Sequence, residues 1–368
     1  MPPCVPPPLI PGHRYENIDA LRGIAAMLVV WLHGAELFVR LPGMDGRGQI
    51  WYDIAHTVDF GRIGVVAFFM ISGYVIPPTL RGPLADGTRR FLVRRFFRLF
   101  PAYWLSIPLG YLLLWLPWGK DFDVVDVIAN ATMLPAVFGR EATIGLYWTL
   151  EAELAFYTLY VALFVVGVLR QRAALLLLVG VLVALMLSMQ ARVLPSPELA
   201  QWKLLPYNLS LMFAGSLVRQ AHDTVRRGTA GASETRDALI FALLAVGLTT
   251  LPALGSLLFG KNVESQLFAR AYLIGIATFV VTVVAWSRPH RYIVWLGTIS
   301  YSLYLLHPVV LYAMTWMLTY VWHAPAPIGV GTLLLVLAAG AIALASLVYV
   351  SVELPAINYA RRLTGPDG

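Results

Sequence analysis

Cysteine and lysine are nearly missing from this 368-residue chain, and charge of either sign is sparse. The single cysteine, Cys4, excludes an intramolecular disulfide framework and a cysteine-built metal site, and no metal is expected. Only 13% of residues are charged, against the roughly 25% of a soluble domain. Residues 1–12 are proline-rich and lack the basic start and apolar core of a signal peptide, so 1–14 reads as a disordered cytoplasmic tail. Long soluble stretches between the apolar runs are absent. So are a repeat of fixed period and an inverted pair of interrupted helices, the usual pointer to a transporter site.

What is there is apolar. Hydrophobic residues make up 59% of the chain, and runs near 20 residues recur. That is the composition of an all-α, polytopic integral membrane protein. About ten spans are expected, near 18–40, 60–80, 97–117, 146–169, 173–190, 204–219, 238–259, 268–287, 293–316 and 329–352. The net charge of +7 does not indicate nucleic acid, because the arginines sit in short loops where orientation signals belong. One set of loops holds Arg81, Arg89, Arg90, Arg94, Arg95, Arg98, Arg170, Arg172, Arg219, Arg226, Arg227, Arg236, Arg288, Arg291, Arg361 and Arg362. The other holds Arg47, Arg140, Arg192 and the lysines Lys120, Lys203 and Lys261. The positive-inside rule makes the first set cytoplasmic, which places both termini there.

Four stretches carry polar residues where lipid does not favour them. The first, NIDALRGIAAMLVVWLHGAELFVR, places Asp19, Arg22 and His33 in the first span. Intramembrane ionisable groups are expensive and mark function by default. Arg22 and His33 are eleven residues apart, so they share a helix face about 16 Å apart along the axis. Asp19 precedes Arg22 by three, a spacing that permits an ion pair. The plain alternative is that Asp19 and Arg22 anchor the helix end and His33 bonds a neighbour. The second span carries Ser72-Gly73 among large residues, where small side chains let helices approach.

Arg94, Arg95 and Arg98 lie within just over one turn, interleaved with phenylalanines. They read either as an interfacial belt or as a site for phosphate oxygens. Glu151 and Glu153 fall a turn inside the fourth span on different faces, each needing a partner, with one of them expected at the water boundary. The ninth span holds Ser300, Ser302, Tyr304 and His307, followed by Pro308, where a kink is expected. The segment 41–59, with Asp45, Asp53, His56 and Asp59, reads as a solvated outer loop. The segment 118–145 reads as a surface or re-entrant stretch.

Taken in order, these pieces resemble the acyltransferase family 3 membrane proteins. IDALRGIAAMLVVWLH resembles that family's first-helix signature, FFMISGYVI its second-helix motif and RRFFRLFPAYW its Arg-x-x-Arg element. YWTLEAELAFY, GTISYSLYLLHPVV and VELPAINYARRL resemble its later motifs, the last through Glu353 and Pro355. The resemblance implies an acyltransferase transmembrane domain over 15–356 and a cytoplasmic tail over 357–368. It implies a stand-alone member with no fused esterase domain, in a bacterial inner membrane.

The activity implied is O-acylation, most often acetylation. Cytoplasmic acyl-coenzyme A is the donor, used as a substrate rather than held as a cofactor. An extracytoplasmic glycan or glycolipid hydroxyl is the acceptor. On this reading His33 is the catalytic base or nucleophile, Glu153 orients it, and Arg22 steadies the helix or the thioester oxyanion. Arg95 and Arg98, with Arg94, hold the donor phosphates. Asp19, Ser72, Glu151, Ser302, Tyr304 and His307 supply substrate contacts or structural polar ties. A competing reading makes the same groups a proton relay in a transporter or flippase for a sugar-linked or acidic substrate.

Overall fold

Thirteen α-helices and no strand make up the described residues of the computed structural model, which are 15–41, 48–191, 203–228, 230–321 and 328–365. The expected tail over 1–14 with Cys4, the loop residues Asp45 and Arg47, and Arg192 lie outside the described residues. In chain order the helices are α1 (Glu16–Phe38), α2 (Gln49–Thr57), α3 (Phe60–Val75), α4 (Leu84–Gly110), α5 (Val124–Ala131), α6 (Trp148–Val165) and α7 (Arg172–Gln190). They continue as α8 (Leu205–Arg227), α9 (Ala232–Phe259), α10 (Val263–Ala285), α11 (Arg291–Trp316), α12 (Val330–Val348) and α13 (Leu354–Thr364).

Each of the ten expected spans has its helix. Nine helical segments among the described residues are long and apolar enough to cross a membrane; α8, at the sixth expected span, falls short of that measure. Its second half carries Arg219, His222, Asp223, Arg226 and Arg227, while Pro206 to Leu217 is buried without a break. A helix buried on every side belongs to the core of a bundle. Small residues let it sit there. A Cβ on Gly73 of α3 would strike the Met212 carbonyl of α8, and one on Gly215 would strike the Met70 carbonyl. Ser216 completes the contact by donating to the Gly73 carbonyl at 3.0 Å.

The same device joins α1 to α11, the most extensive helix pair in the molecule. A Cβ on Gly23 would lie 2.8 Å from Leu296 Cβ and 2.9 Å from the Gly297 amide nitrogen. α1 also packs on α3 and α12, so the helix carrying Arg22 and His33 runs through the middle of the bundle.

Two segments differ from expectation. Residues 49–57 form α2 instead of an open loop, and α2 packs on α1 and α3 through Ala55, Trp51 and His56. Residues 354–364 form α13, which lies along α4 with Tyr359 against Phe97. The described part of the expected C-terminal tail is therefore a packed helix. α11 runs through Pro308 as one helix. The missing proline N–H is absorbed by a side chain, described below, in place of a break. The stretch 118–145 does hold a surface helix, α5, capped by a reciprocal Asp123–Asp126 box, with Val124, Val125 and Ile128 exposed.

Candidate active site

Proline 308 is the starting point of the site. It has no N–H to give the carbonyl four residues earlier, which is that of Tyr304. His307 takes that carbonyl instead: its Nδ1 lies 2.8 Å from Tyr304 O and 3.3 Å from Leu303 O. A carbonyl only accepts, so Nδ1 carries the proton and a neutral His307 has its lone pair on Nε2. His33 Nδ1 lies 2.9 Å from that Nε2, with the two rings nearly parallel at 14°. His33 therefore donates from Nδ1, and its own lone pair is left on Nε2. His307 is fully buried while His33 is partly open, so the free nitrogen belongs to the accessible ring.

His33 opens onto a cavity of about 570 Å³. Glu36, Asp59, Arg62, Trp148 and Tyr272 are among the residues lining it. Glu36 Oε1 lies 3.0 Å from His56 Nε2. Asp59 caps α3 by accepting from the Arg62 amide at 2.9 Å, and its second oxygen lies 3.4 Å from the Arg62 guanidinium. The wall thus mixes both charge signs with aromatic faces, the lining of a polar-ligand site.

A second, smaller cavity of about 90 Å³ lies deeper in the bundle. Arg22, Arg95, Arg98 and Glu153 line it, with Ser72, Ser300, Tyr157 and Tyr301. Val65 and Tyr304 border both cavities, so the two are separated by a wall one side chain thick. Tyr304 is fixed there by a 3.0 Å bond between its hydroxyl and Thr149 Oγ1, and Phe68 packs edge-on against it.

The structure sorts the expected site residues into groups. His33, His307 and Tyr304 come together. Arg22, Arg95, Arg98, Ser72 and Glu153 come together on the deeper cavity. Glu153 accepts from the Tyr157 hydroxyl on its own helix. It is not the orienting partner of His33, a place held by His307, because Glu153 faces the arginines across the Tyr304 wall. Arg22 lies about 16 Å along the helix from His33 and lines the deeper cavity, so it is a group of that cavity and not an oxyanion donor at His33. Asp19 is not among the residues lining either cavity; its backbone carbonyl abuts Gly297.

Arg94 turns outward to α13, bonding Thr364 Oγ1 at 2.9 Å and Gly365 O at 2.8 Å. It ties two helices and does not line the deeper cavity. Arg98 meets Glu353 in a buried ion pair, and Ser302 donates to the other Glu353 oxygen at 2.6 Å. A π-helical turn over Tyr349–Glu353 delivers that carboxylate inward, a distortion frequent at functional sites. Glu151 is 4% exposed and accepts from the Ala136 amide at 3.3 Å, so it pins a loop, while Glu153 is half-buried. Sequence reasoning passes over Glu36, although it lies one turn from His33 on the same face.

Residues 15–352 match the Acyl_transf_3 family, described as an acyltransferase domain. Nodulation protein 10 of Rhizobium leguminosarum bv. viciae is 30% identical over 167 residues, 40% of this chain and 43% of that protein. Acyltransferase MdmB of Streptomyces mycarofaciens is 26% identical over 157 residues, 39% of this chain and 38% of that protein. Protein 2 in picA locus, from Rhizobium radiobacter, is 30% identical over 102 residues, 27% of this chain and 45% of that protein. The aligned stretches thus span less than half the length of each of these relatives. No solved structure matches the chain.

Proposed function

Because the chain belongs to the acyltransferase 3 family, and is thus a multi-pass membrane acyltransferase, we propose that it moves an acyl group, acetyl in the first instance, from cytoplasmic acyl-coenzyme A to a hydroxyl presented in the His33 cavity. The acceptor is a glycan or glycolipid on the far side of the inner membrane, and both termini face the cytoplasm. The observation that carries this reading is the relay from Pro308 through His307 to His33, which leaves the lone pair on Nε2 of a histidine that lines the larger cavity.

The arginine-rich end of the bundle faces the cytoplasm, following the positive-inside rule. The donor arm enters past Arg95 and Arg22, and its thioester reaches His33 at the Tyr304 wall. His33 Nε2 takes the proton of the acceptor hydroxyl as that oxygen bonds to the thioester carbonyl carbon. The carbon–sulfur bond then breaks, and the departing thiolate takes the proton back from the imidazolium. Throughout, Nδ1–H of His33 stays on His307, whose own orientation is held by a backbone carbonyl. His307 is a positioning residue. It plays the part that a carboxylate plays in a serine-hydrolase triad.

Free-thiol release from acyl-coenzyme A by detergent-purified protein tests the reading, with a cell-envelope extract as acceptor source. Wild type releases thiol and His33→Ala does not. Equal release by both proteins would refute the role of His33. Consumption of no thioester in the presence of acceptor would refute the donor.

A further inference from the structure

The deeper cavity is too small to account for a donor that ends in several phosphates, and two of its three arginines, Arg95 and Arg98, are engaged. Arg98 is committed to Glu353, and Arg94 to Thr364 and Gly365. Arg95 donates to Thr79 Oγ1 at 3.1 Å and lies over the Phe91 and Tyr157 rings at 5.5 Å.

A separate open cleft of about 520 Å³ lies at the arginine-rich end. Arg81, Arg170, Arg172, Arg219 and Arg227 line it, against the carboxylates of Asp223 and Glu234. Two of the five arginines are accounted for. Arg219 is 7% exposed and held by Asp223 at 2.8 Å, with the Tyr15 and Tyr74 rings against its guanidinium. Arg172 reaches Thr224 Oγ1 at 3.1 Å and Glu234 at 3.7 Å. Arg81, Arg170 and Arg227 form no ion pair with the described residues. They come from three different parts of the chain: the turn after α3, the turn after α6, and the end of α8. Five guanidiniums against two carboxylates leave the concavity with an excess of positive charge, which raises the local potential and attracts an anion. Planar guanidinium forks favour phosphate.

The position of the cleft relates it to the donor path. Val75 and Ile76 line the deeper cavity, and the next residues, Pro77 and Pro78, line the cleft. The two spaces therefore abut across one short turn, which Arg95 grips through Thr79. We propose that this cleft docks the phosphates of the donor's nucleotide end, with Arg81, Arg170 and Arg227 as ligands, while the thioester arm crosses the Pro77–Thr79 turn into the deeper cavity. The inference rests on the acyl-coenzyme A reading above. An anionic lipid headgroup offers the same phosphate chemistry, and the test separates the two.

The test compares full-length wild type with Arg81→Gln/Arg170→Gln/Arg227→Gln, in detergent and in nanodiscs with and without anionic lipid. A control, Arg288→Gln/Arg361→Gln/Arg362→Gln, removes the same charge at the same end but outside the cleft. The cleft variant raises KM for acyl-coenzyme A by about tenfold or more, as the loss of charge-assisted contacts requires. Its kcat is retained. Its KM for an acyl-pantetheine thioester, which has no nucleotide, is unchanged, and the control behaves as wild type. Calorimetry with free coenzyme A gives the same tenfold weakening. An unchanged KM and an unchanged affinity for coenzyme A would overturn the site. So would equal weakening for acyl-pantetheine, or a loss confined to activation by anionic lipid. A wild type that turns over no thioester, yet binds coenzyme A through these three arginines, would refute the enzymatic reading and retain the site.

Discussion

Nδ1 of His33 and Nε2 of His307 lie 2.9 Å apart, although the two residues are 274 positions distant in sequence. Because His307 Nδ1 is already spent on the Tyr304 carbonyl, the proton in this bond comes from His33. The tautomer of the accessible ring is thereby set by a backbone feature of α11.

Replacing Pro308 with alanine restores an N–H that competes for the Tyr304 carbonyl. A proline inside a helix costs about 3 kcal/mol, so Pro308→Ala raises the thermal midpoint in detergent. The same change loosens His307 and lowers kcat by about tenfold to a hundredfold, the scale of a misplaced catalytic group. KM for the donor is unchanged. Opposite movements of stability and kcat, measured on one preparation, identify a positioning role.

His307→Gln keeps polarity but loses the rigid two-nitrogen geometry. Its kcat falls by about a hundredfold or more, in the range assigned to general acid–base catalysis. Glu153→Gln, on the other side of the Tyr304 wall, acts on KM for acyl-coenzyme A more than on kcat. Steady-state kinetics of the two variants separates the cavities. A Glu153→Gln enzyme with His307-like loss of kcat would restore Glu153 as the orienting group.

The Arg98–Glu353 pair is largely buried, with the Glu353 side chain 0% and that of Arg98 20% exposed. Removing one member of such a pair strands the other and costs about 3–5 kcal/mol. Glu353→Leu and Arg98→Met therefore each lower the thermal midpoint sharply. Arg98→Met/Glu353→Leu is more stable than the sum of the two, because no charge is left unpaired. Thermal unfolding across the double-mutant cycle measures the coupling.

Gly73→Ala introduces a Cβ against the Met212 backbone carbonyl, which cannot rotate away. Overpacking of this kind costs about 1–3 kcal/mol, and α3 and α8 must separate to relieve it. Lower yield of folded protein, read by size-exclusion chromatography, is the expected result. Gly247→Ala, where nothing lies within 4 Å of the added carbon, is the neutral control.

Much of this organisation is legible in the sequence because a bilayer demands it. Nine of the ten expected spans follow from apolar length, and Arg22 and His33 from the cost of charge within a span. Ser72-Gly73 also signals its own role, since small residues among large ones mark close approach. Pairings across helices are not legible. Nothing local to Arg94 says that it reaches Gly365, or that Arg98 meets Glu353. The His33–His307 bond combines a local cue with a non-local one. Pro308 announces a free carbonyl, but only packing of α11 on α1 brings the second ring to it. The helix over 49–57 escapes notice because its nine residues carry a short, mixed pattern that a loop could also show.

The central claim is that the acyl group enters from the arginine-rich end and leaves through His33 on the opposite side. Membrane vesicles of both orientations, supplied externally with radiolabelled acyl-coenzyme A that cannot cross the bilayer, test it most directly. Inside-out vesicles from cells making the wild-type protein transfer label to acceptor within the lumen, and those carrying His33→Ala do not; right-side-out vesicles transfer none. Transfer by right-side-out vesicles alone, or equal transfer by wild type and His33→Ala, would contradict the account.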